Sequence, residues 1–342
     1  MLFGFEIFTF DVYRIIKEMK RIPFSILFVF VFCFGCKDDK QYLISQGNIF
    51  HTSYLIKYEY TESLDSVIRE ELLRFDLSLN PFNPQSIIYK VNNNESVEVD
   101  SLFMNVFNKA QEVSRVSGGA FDITAAPLIN VWGFGFSKMD SVTPAIIDSL
   151  KQYVGFEKVW IEGNQVVKKN PQVQLNASAI AKGYACDVIG HLLDSYGIRN
   201  YMVEIGGEIR AKGKNPKGVC WRVEIVQPEY DPMGIVQERP IVVPLCDKGM
   251  ATSGNYRNYY VKDGEIFGHT INPATGYPAE QNIVSATVLA SDCMTADAYA
   301  TVFMVLGIDA SVELAKQLDG LQYYLIGQKT DGEQQIATNI SF

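Results

Sequence analysis

The stretch Asn176-Ala-Ser-Ala-Ile-Ala-Lys-Gly-Tyr-Ala-Cys-Asp187 sets a lysine and a glycine among small residues where a helix opens. Such a start suits a bound phosphate. Its unpaired N–H groups and positive dipole end attract anions, Lys182 adds a full charge, and Ala177, Ala179, Ala181 and Gly183 allow close approach to the backbone. The same residues also suit ordinary helix packing. No Gly-x-Gly-x-x-Gly follows any strand-like segment, so a dinucleotide bound here is bound without a Rossmann fingerprint.

Outward from this stretch, alternating apolar residues predict strands over Asn48 to Tyr58, Lys158 to Val167, Tyr201 to Ile205, Trp221 to Val226, Ile241 to Cys246 and Ile283 to Leu289. Helical periodicity marks Glu62 to Leu79, Ser101 to Ser117, Pro144 to Tyr153, Ala179 to Tyr196, Thr295 to Leu306 and Ala310 to Leu318. Asn80 to Pro84 and Asn215 to Gly218 read as turns. Runs of strands punctuated by single helices predict an α+β fold with mostly antiparallel sheets flanked by helices. No linker or repeat divides it, so residues 47–342 read as a single domain of two lobes.

The first 36 residues differ in kind. Ile22 to Gly35 is almost wholly apolar, follows Lys20 and Arg21, and is short for a bilayer span, which describes an export signal. Gly35 before Cys36 resembles a lipobox, which implies a lipidated Cys36 as the mature N-terminus. Glu6 and Asp11 sit where such a signal is positive, so Met19 is the expected true start. Residues 37–46 read as a tether, and Lys37-Asp-Asp39 fits either a solvated charged spacer or a surface-export signal. The chain is thus expected to be an exported lipoprotein, on the periplasmic side of the inner or outer membrane or at the cell surface.

Of six cysteines, Cys186, Cys220, Cys246 and Cys293 are scattered singly among apolar neighbours, without zinc-type pairs. Buried thiols are expected, with room for one disulfide in an exported protein. A net charge of −9, no basic run after the signal and only three histidines argue against a nucleic-acid partner.

Three further segments join the first: Gly119-Ala-Phe-Asp-Ile-Thr124 with Trp132-Gly-Phe-Gly135, Tyr201-Met-Val-Glu-Ile-Gly-Gly-Glu208, and His269-Thr-Ile-Asn-Pro-Ala-Thr-Gly276 followed by Thr295-Ala-Asp-Ala-Tyr-Ala-Thr301. In this order and spacing the set resembles the ApbE family, the FAD:protein FMN transferases, from about Gly47 to about Leu306.

The resemblance implies FAD as a substrate and Mg²⁺ as the metal. Asp297 and Thr301, four apart on one helix face, are hard oxygen donors; spacing alone favours instead a surface aspartate and a threonine bonded to its own helix. In the family the Ala-Asp-x-x-x-Thr pattern holds the metal together with a main-chain oxygen at the position of Ala179. The flavin nucleotide is implied to contact Phe50, Phe82, Ala120, Phe121, Asp122, Asn176, Lys182 and Ile271. Two of these positions depart from the pattern, Asn176 where the family has aspartate and Phe82 where it has tyrosine, and a third departure, His51 replacing a glycine, lies beside Phe50. Asn176 reads equally as a helix cap, and Phe121 as core.

His269, on a turn rich in breakers, is the candidate general base, but it reads equally as a structural histidine, since Asp297 or a metal-bound water could do the same work. His191 reads as structural, and Glu208 as a capped or paired acid. The implied reaction is attack by a threonine hydroxyl of an acceptor protein on the FMN phosphorus of FAD, expelling AMP. The expected acceptor carries an Asp-Gly-x-Thr-x-Thr-like motif and is a subunit of an exported redox complex. Asp263-Gly-Glu and Asp331-Gly-Glu lack the threonines, which argues against self-modification. A Mg²⁺-dependent FAD pyrophosphatase and a non-catalytic FAD-binding lipoprotein remain alternatives.

Overall fold

The computed structural model describes residues 40–134, 142–230, 236–254, 259–262, 265–279, 283–328 and 333–341. The signal segment with Cys36, residues 37–39 of the tether, and Gly135 lie outside the described residues. The compact unit Tyr42–Phe342 holds all the elements that matter here.

In chain order they are β1 (Gln41–Ile49), β2 (Thr52–Tyr60), α1 (Asp65–Leu79), α2 (Ile87–Asn92), α3 (Ser101–Val116), α4 (Ala126–Val131), α5 (Pro144–Lys151), β3 (Val159–Glu162) and β4 (Gln165–Lys168). Then come α6 (Ala181–Ser195), β5 (Tyr201–Ile205), β6 (Glu208–Lys212), β7 (Trp221–Tyr230), β8 (Val236–Leu245), β9 (Lys248–Gly254), β10 (Tyr259–Lys262) and β11 (Glu265–Gly268). The chain closes with β12 (Ile283–Ala290), α7 (Cys293–Leu306), α8 (Ile308–Ala315), β13 (Gln322–Gln328) and β14 (Gln334–Thr338).

An eight-stranded sheet runs in the order β1-β2-β5-β6-β9-β12-β13-β14, and β2·β5, β5·β6, β6·β9, β9·β12, β12·β13 and β13·β14 are all antiparallel. The α+β expectation holds. Alternation along β5 sorts the two faces. Tyr201, Val203 and Ile205 point into a core shared with α1, α3, α6 and α7, while Met202 points to the opposite face, covered by Trp221, Val223, Ile225, Val243 and Leu245 of the β7–β8 hairpin. A third apolar cluster, Ala125, Leu128, Trp132, Ile147, Val154 and Ile271, packs α4 and α5 against the segment after β11.

Several boundaries differ from the periodicity reading, each for a local reason. The alternation over Asn48 to Tyr58 is interrupted by Phe50 and His51, both left-handed at φ 51° and 59°, so the chain reverses into the β1–β2 hairpin instead of one strand. β1 starts at Gln41, within the expected tether, and Tyr42 packs its ring edge-on to Trp221 at 6.0 Å. Lys158 to Val167 is likewise two strands, β3 and β4. β13 is buried at five consecutive positions, Tyr323 to Gly327, and so shows no alternation to read. Cys220 and Cys246 form a disulfide across the open end of β7–β8, which corrects the free-thiol reading for that pair; Cys186 and Cys293 are free and buried.

α6 and α7 meet with unusual closeness. α6 starts at Ala181, two residues later than periodicity suggests, and its N-cap residue Ile180 offers no side-chain acceptor. The N–H of Gly183 instead donates to Asp297 Oδ2 of α7 at 2.9 Å. In return Asp187 of α6 accepts from the backbone N–H groups of Cys293 and Met294 at 2.9 and 2.8 Å, in the first turn of α7. Each helix thus caps the other, satisfying donors that a helix start leaves open. Only glycine permits the approach, since a Cβ at 183 would lie 2.3 Å from the Cys293 carbonyl oxygen and 2.7 Å from Asp297 Cβ. Gly183→Ala is expected to lower the unfolding free energy by about 3 kcal/mol through overpacking, read as a fall in the urea midpoint at unchanged slope.

Candidate active site

A cavity of about 770 Å³ opens above the mutually capped helix starts. Its lining includes Phe82, Ala120, Phe121, Asp122, Asn176, Ala179, Lys182, His269, Ile271, Asp297 and Thr301, which is every candidate residue except Phe50. Phe50 lies in an adjoining recess of about 130 Å³ that shares Phe82, Ser178 and Lys182 with the main cavity. Segments more than two hundred residues apart therefore converge on one space.

Asp297, on α7, is buried and its Oδ2 is taken by the Gly183 N–H; among the described residues no hydrogen bond to Oδ1 is found. Burial raises its carboxyl above the usual range, against the pull of Lys182 and the Gly183 N–H. One turn further, Thr301 Oγ1 meets Ser253 Oγ at 3.3 Å, so its hydroxyl faces β9 rather than bonding back into its own helix. A carboxylate oxygen, a hydroxyl and the neighbouring cavity-lining Ala179 make a hard-oxygen donor set, which fits Mg²⁺. Among the described residues no cluster of three or more His, Cys, Asp or Glu side chains is arranged for a metal. A cation here would complete its shell with water and substrate oxygens.

Lys182, in the first turn of α6, is not a bare charge. Its Nζ lies 2.5 Å from Glu208 Oε1, which fulfils the paired-acid reading of Glu208. Burial works to discharge Lys182, but Glu208 and Asp297 outweigh it and hold its ammonium above the ordinary lysine range. Glu208 is delivered by a two-residue hairpin turn between β5 and β6, where Gly206 and Gly207 take φ of 63° and 100°, values open to glycine.

Asn176 Oδ1 accepts from the Ser178 N–H at 2.8 Å and its own N–H donates to the Ile123 carbonyl at 2.7 Å. That is an Asx turn leading into the helix, whose own N-cap position is Ile180, four residues on. Asp122 Oδ1 caps the 3₁₀ turn Ile123–Ala125, accepting from Thr124 N–H and Oγ1 at 2.7 and 2.6 Å, and burial raises its carboxyl despite those bonds. Phe121 is both core and cavity wall. Phe82 stands at the mouth, nearly half exposed, edge-on to His51 at 6.0 Å.

His269 follows β11 directly, its ring edge-on to Phe134 at 6.2 Å. The loop after it is braced. Asn272 Oδ1 accepts from Ala274 N–H, the Gly276 N–H donates to the Asn272 carbonyl, and buried Trp132 donates from Nε1 to the Gly276 carbonyl at 2.8 Å. The Trp132 motif thus serves as an anchor for the His269 loop. His191 is exposed on α6, away from the cavity lining.

Sequence reasoning passed over Asp187, whose signal was its place one turn after Gly183 on the same helix face, and Glu204, Arg222 and Glu224, which line the cavity from β5 and β7. With them the wall carries, among the described residues, five carboxylates, Asp122, Glu204, Glu208, Glu224 and Asp297, against two cations, Lys182 and Arg222. An anionic substrate entering such a wall requires added positive charge.

A model of the ApbE family matches residues 50–325. The chain is 35% identical over 316 residues to a Vibrio cholerae protein named FAD:protein FMN transferase, covering 89% of this chain and 93% of that one. It is 34% identical over 315 residues to a Haemophilus influenzae protein of the same name, covering 87% and 90%. The solved flavin transferase ApbE from Vibrio cholerae superimposes with a TM-score of 0.79 at 33% identity, over 89% of this chain and 98% of that one.

Replacing Trp132 by phenylalanine leaves the buried Gly276 carbonyl without its donor, and is expected to cost about 1–2 kcal/mol of stability in chemical denaturation.

Proposed function

The chain belongs to the ApbE family, and from that premise we propose that it transfers FMN from FAD to a threonine hydroxyl of an acceptor protein, with Mg²⁺ at the site and AMP released. The observation that carries this reading is the meeting of Asp297, Thr301, Lys182 and His269 with Phe82 and Phe121 in one cavity whose wall is otherwise acidic. The aromatic residues suit an isoalloxazine ring and the α6 start suits a pyrophosphate.

Phosphoryl transfer depends on positioning and charge neutralisation. Asp297, Thr301 and the Ala179 carbonyl would hold the cation, which supplies the positive charge that the acidic wall lacks. Lys182 adds its ammonium on the same side. Asp297 is committed to the Gly183 N–H, which favours His269 as the base: it accepts the proton of the threonine hydroxyl as that oxygen bonds to the FMN phosphorus. The bond to the AMP oxygen breaks, AMP leaves with the electron pair, and FMN stays on the acceptor as a phosphoester.

The acceptor is proposed to be a separate exported redox subunit bearing an Asp-Gly-x-Thr-x-Thr-like motif; Asp263 and Asp331 of this chain lie outside the described residues. An exported lipoprotein held through Cys36 is the proposed setting, and the Cys220–Cys246 disulfide supports an oxidising compartment. Among the described residues no helix is long and apolar enough to cross a membrane.

The chain lacking residues 1–36, incubated with FAD, Mg²⁺ and a peptide bearing that motif, is expected to add FMN to the peptide and release one AMP per modification, read by mass spectrometry and nucleotide chromatography. Free FMN and AMP with unmodified peptide would make it a pyrophosphatase, and intact FAD a binding protein. Asp297→Ala is expected to slow transfer by about a hundredfold or more through loss of charge stabilisation.

A further inference from the structure

Glu208 is costly where it stands. Its side chain is 5% exposed, Oε1 holds Lys182, and Oε2 is buried with no hydrogen-bond partner among the described residues. A carboxylate so placed is expensive to bury for a single ion pair, and a glutamine or an apolar residue at that position of β6 would spare the cost. The pair therefore calls for a role beyond packing.

Its geometry suggests one. Lys182 is confined on two sides. A Cβ at Gly206 would lie 3.2 Å from Lys182 Cδ, so the glycine turn flanks the stem, and Glu208 holds the tip. Asp297 is the other acid near the ammonium, close enough to raise its proton affinity, yet the two form no ion pair within 4 Å. Were Glu208 absent, the freed ammonium would swing to Asp297, which among the described residues is bonded only through Oδ2 and whose buried charge would attract it strongly. That is the carboxylate a divalent cation needs.

Resting on the cation site proposed above, we propose that Glu208 is a positioning residue: it holds Lys182 off Asp297, so that one ammonium and one divalent cation occupy the cavity side by side instead of competing for the same carboxylate.

Mn²⁺ binding, followed by electron paramagnetic resonance without substrate, tests this on the chain lacking residues 1–36. The set is the unaltered protein, Glu208→Gln, Lys182→Met and the double variant, each checked for folding by circular dichroism. Glu208→Gln is expected to weaken Mn²⁺ binding by about tenfold or more, and Lys182→Met added to it to restore affinity to within about threefold of Lys182→Met alone, the coupling expected of groups in contact. If Glu208→Gln does not fold, Glu208→Met replaces it with the same expectation, since it removes the charge at a similar side-chain length. A Glu208 variant that binds as the unaltered protein does, or a double variant as weak as the Glu208 single, overturns the proposal; the second result would make the Glu208 charge itself the attraction. If the unaltered protein binds no Mn²⁺, the cation site fails and this inference with it.

Discussion

The contact between the first turns of α6 and α7 is the constraint on which the site depends. Two helices whose starts face each other would ordinarily repel at their positive ends and leave unsatisfied N–H groups in the core. Here each supplies the other with an aspartate, Asp297 to Gly183 and Asp187 to Cys293 and Met294. The glycine at 183 lets the backbones close to the distance those bonds need. The consequence is chemical as well as structural. Asp297 is fixed by one oxygen to the neighbouring helix and also lines the cavity, so the residue that joins the helices is one of those proposed to hold the cation.

Around that junction the electrostatics are those of a socket awaiting charge. Burial raises the carboxyls of Asp122, Glu208 and Asp297 above the carboxylate range, which marks three acids held in poor solvation around one cavity. Lys182 offsets part of this, with Arg222 at the β7 wall. A doubly charged pyrophosphate cannot settle among them unaided. A divalent cation and the substrate would together fill a site that neither would occupy well alone. The β7–β8 hairpin, pinned by its disulfide and packed through Trp221, Val223 and Ile225, forms the opposite wall.

Much of this was legible in the chain. The motifs at Asn176, Ala120, His269 and Asp297, read through the family resemblance, named residues that line the cavity, and the helix start before Lys182 is written locally. The six predicted helices lie within a few residues of observed ones for the same reason. What stayed hidden depends on partners distant in sequence. The place of Asp187 one turn after Gly183 puts both on one helix face but does not name α7 as the partner, and nothing in Glu208 says that Lys182 lies 2.5 Å away. β9 and β13 escaped because one is rich in small residues and the other is buried on both faces. The turn at Phe50 and His51 was masked by apolar alternation on either side, since neither residue is one that a left-handed turn usually selects.

That the acidic cavity takes FAD only in company with a divalent cation is tested most directly by titrating FAD into the chain lacking residues 1–36, following flavin fluorescence, once with Mg²⁺ and once with a chelator. Binding is expected to be at least about tenfold tighter with Mg²⁺, the scale of a typical coupling between two ligands, and Asp297→Ala is expected to abolish that difference. Equal affinity under both conditions would contradict the claim.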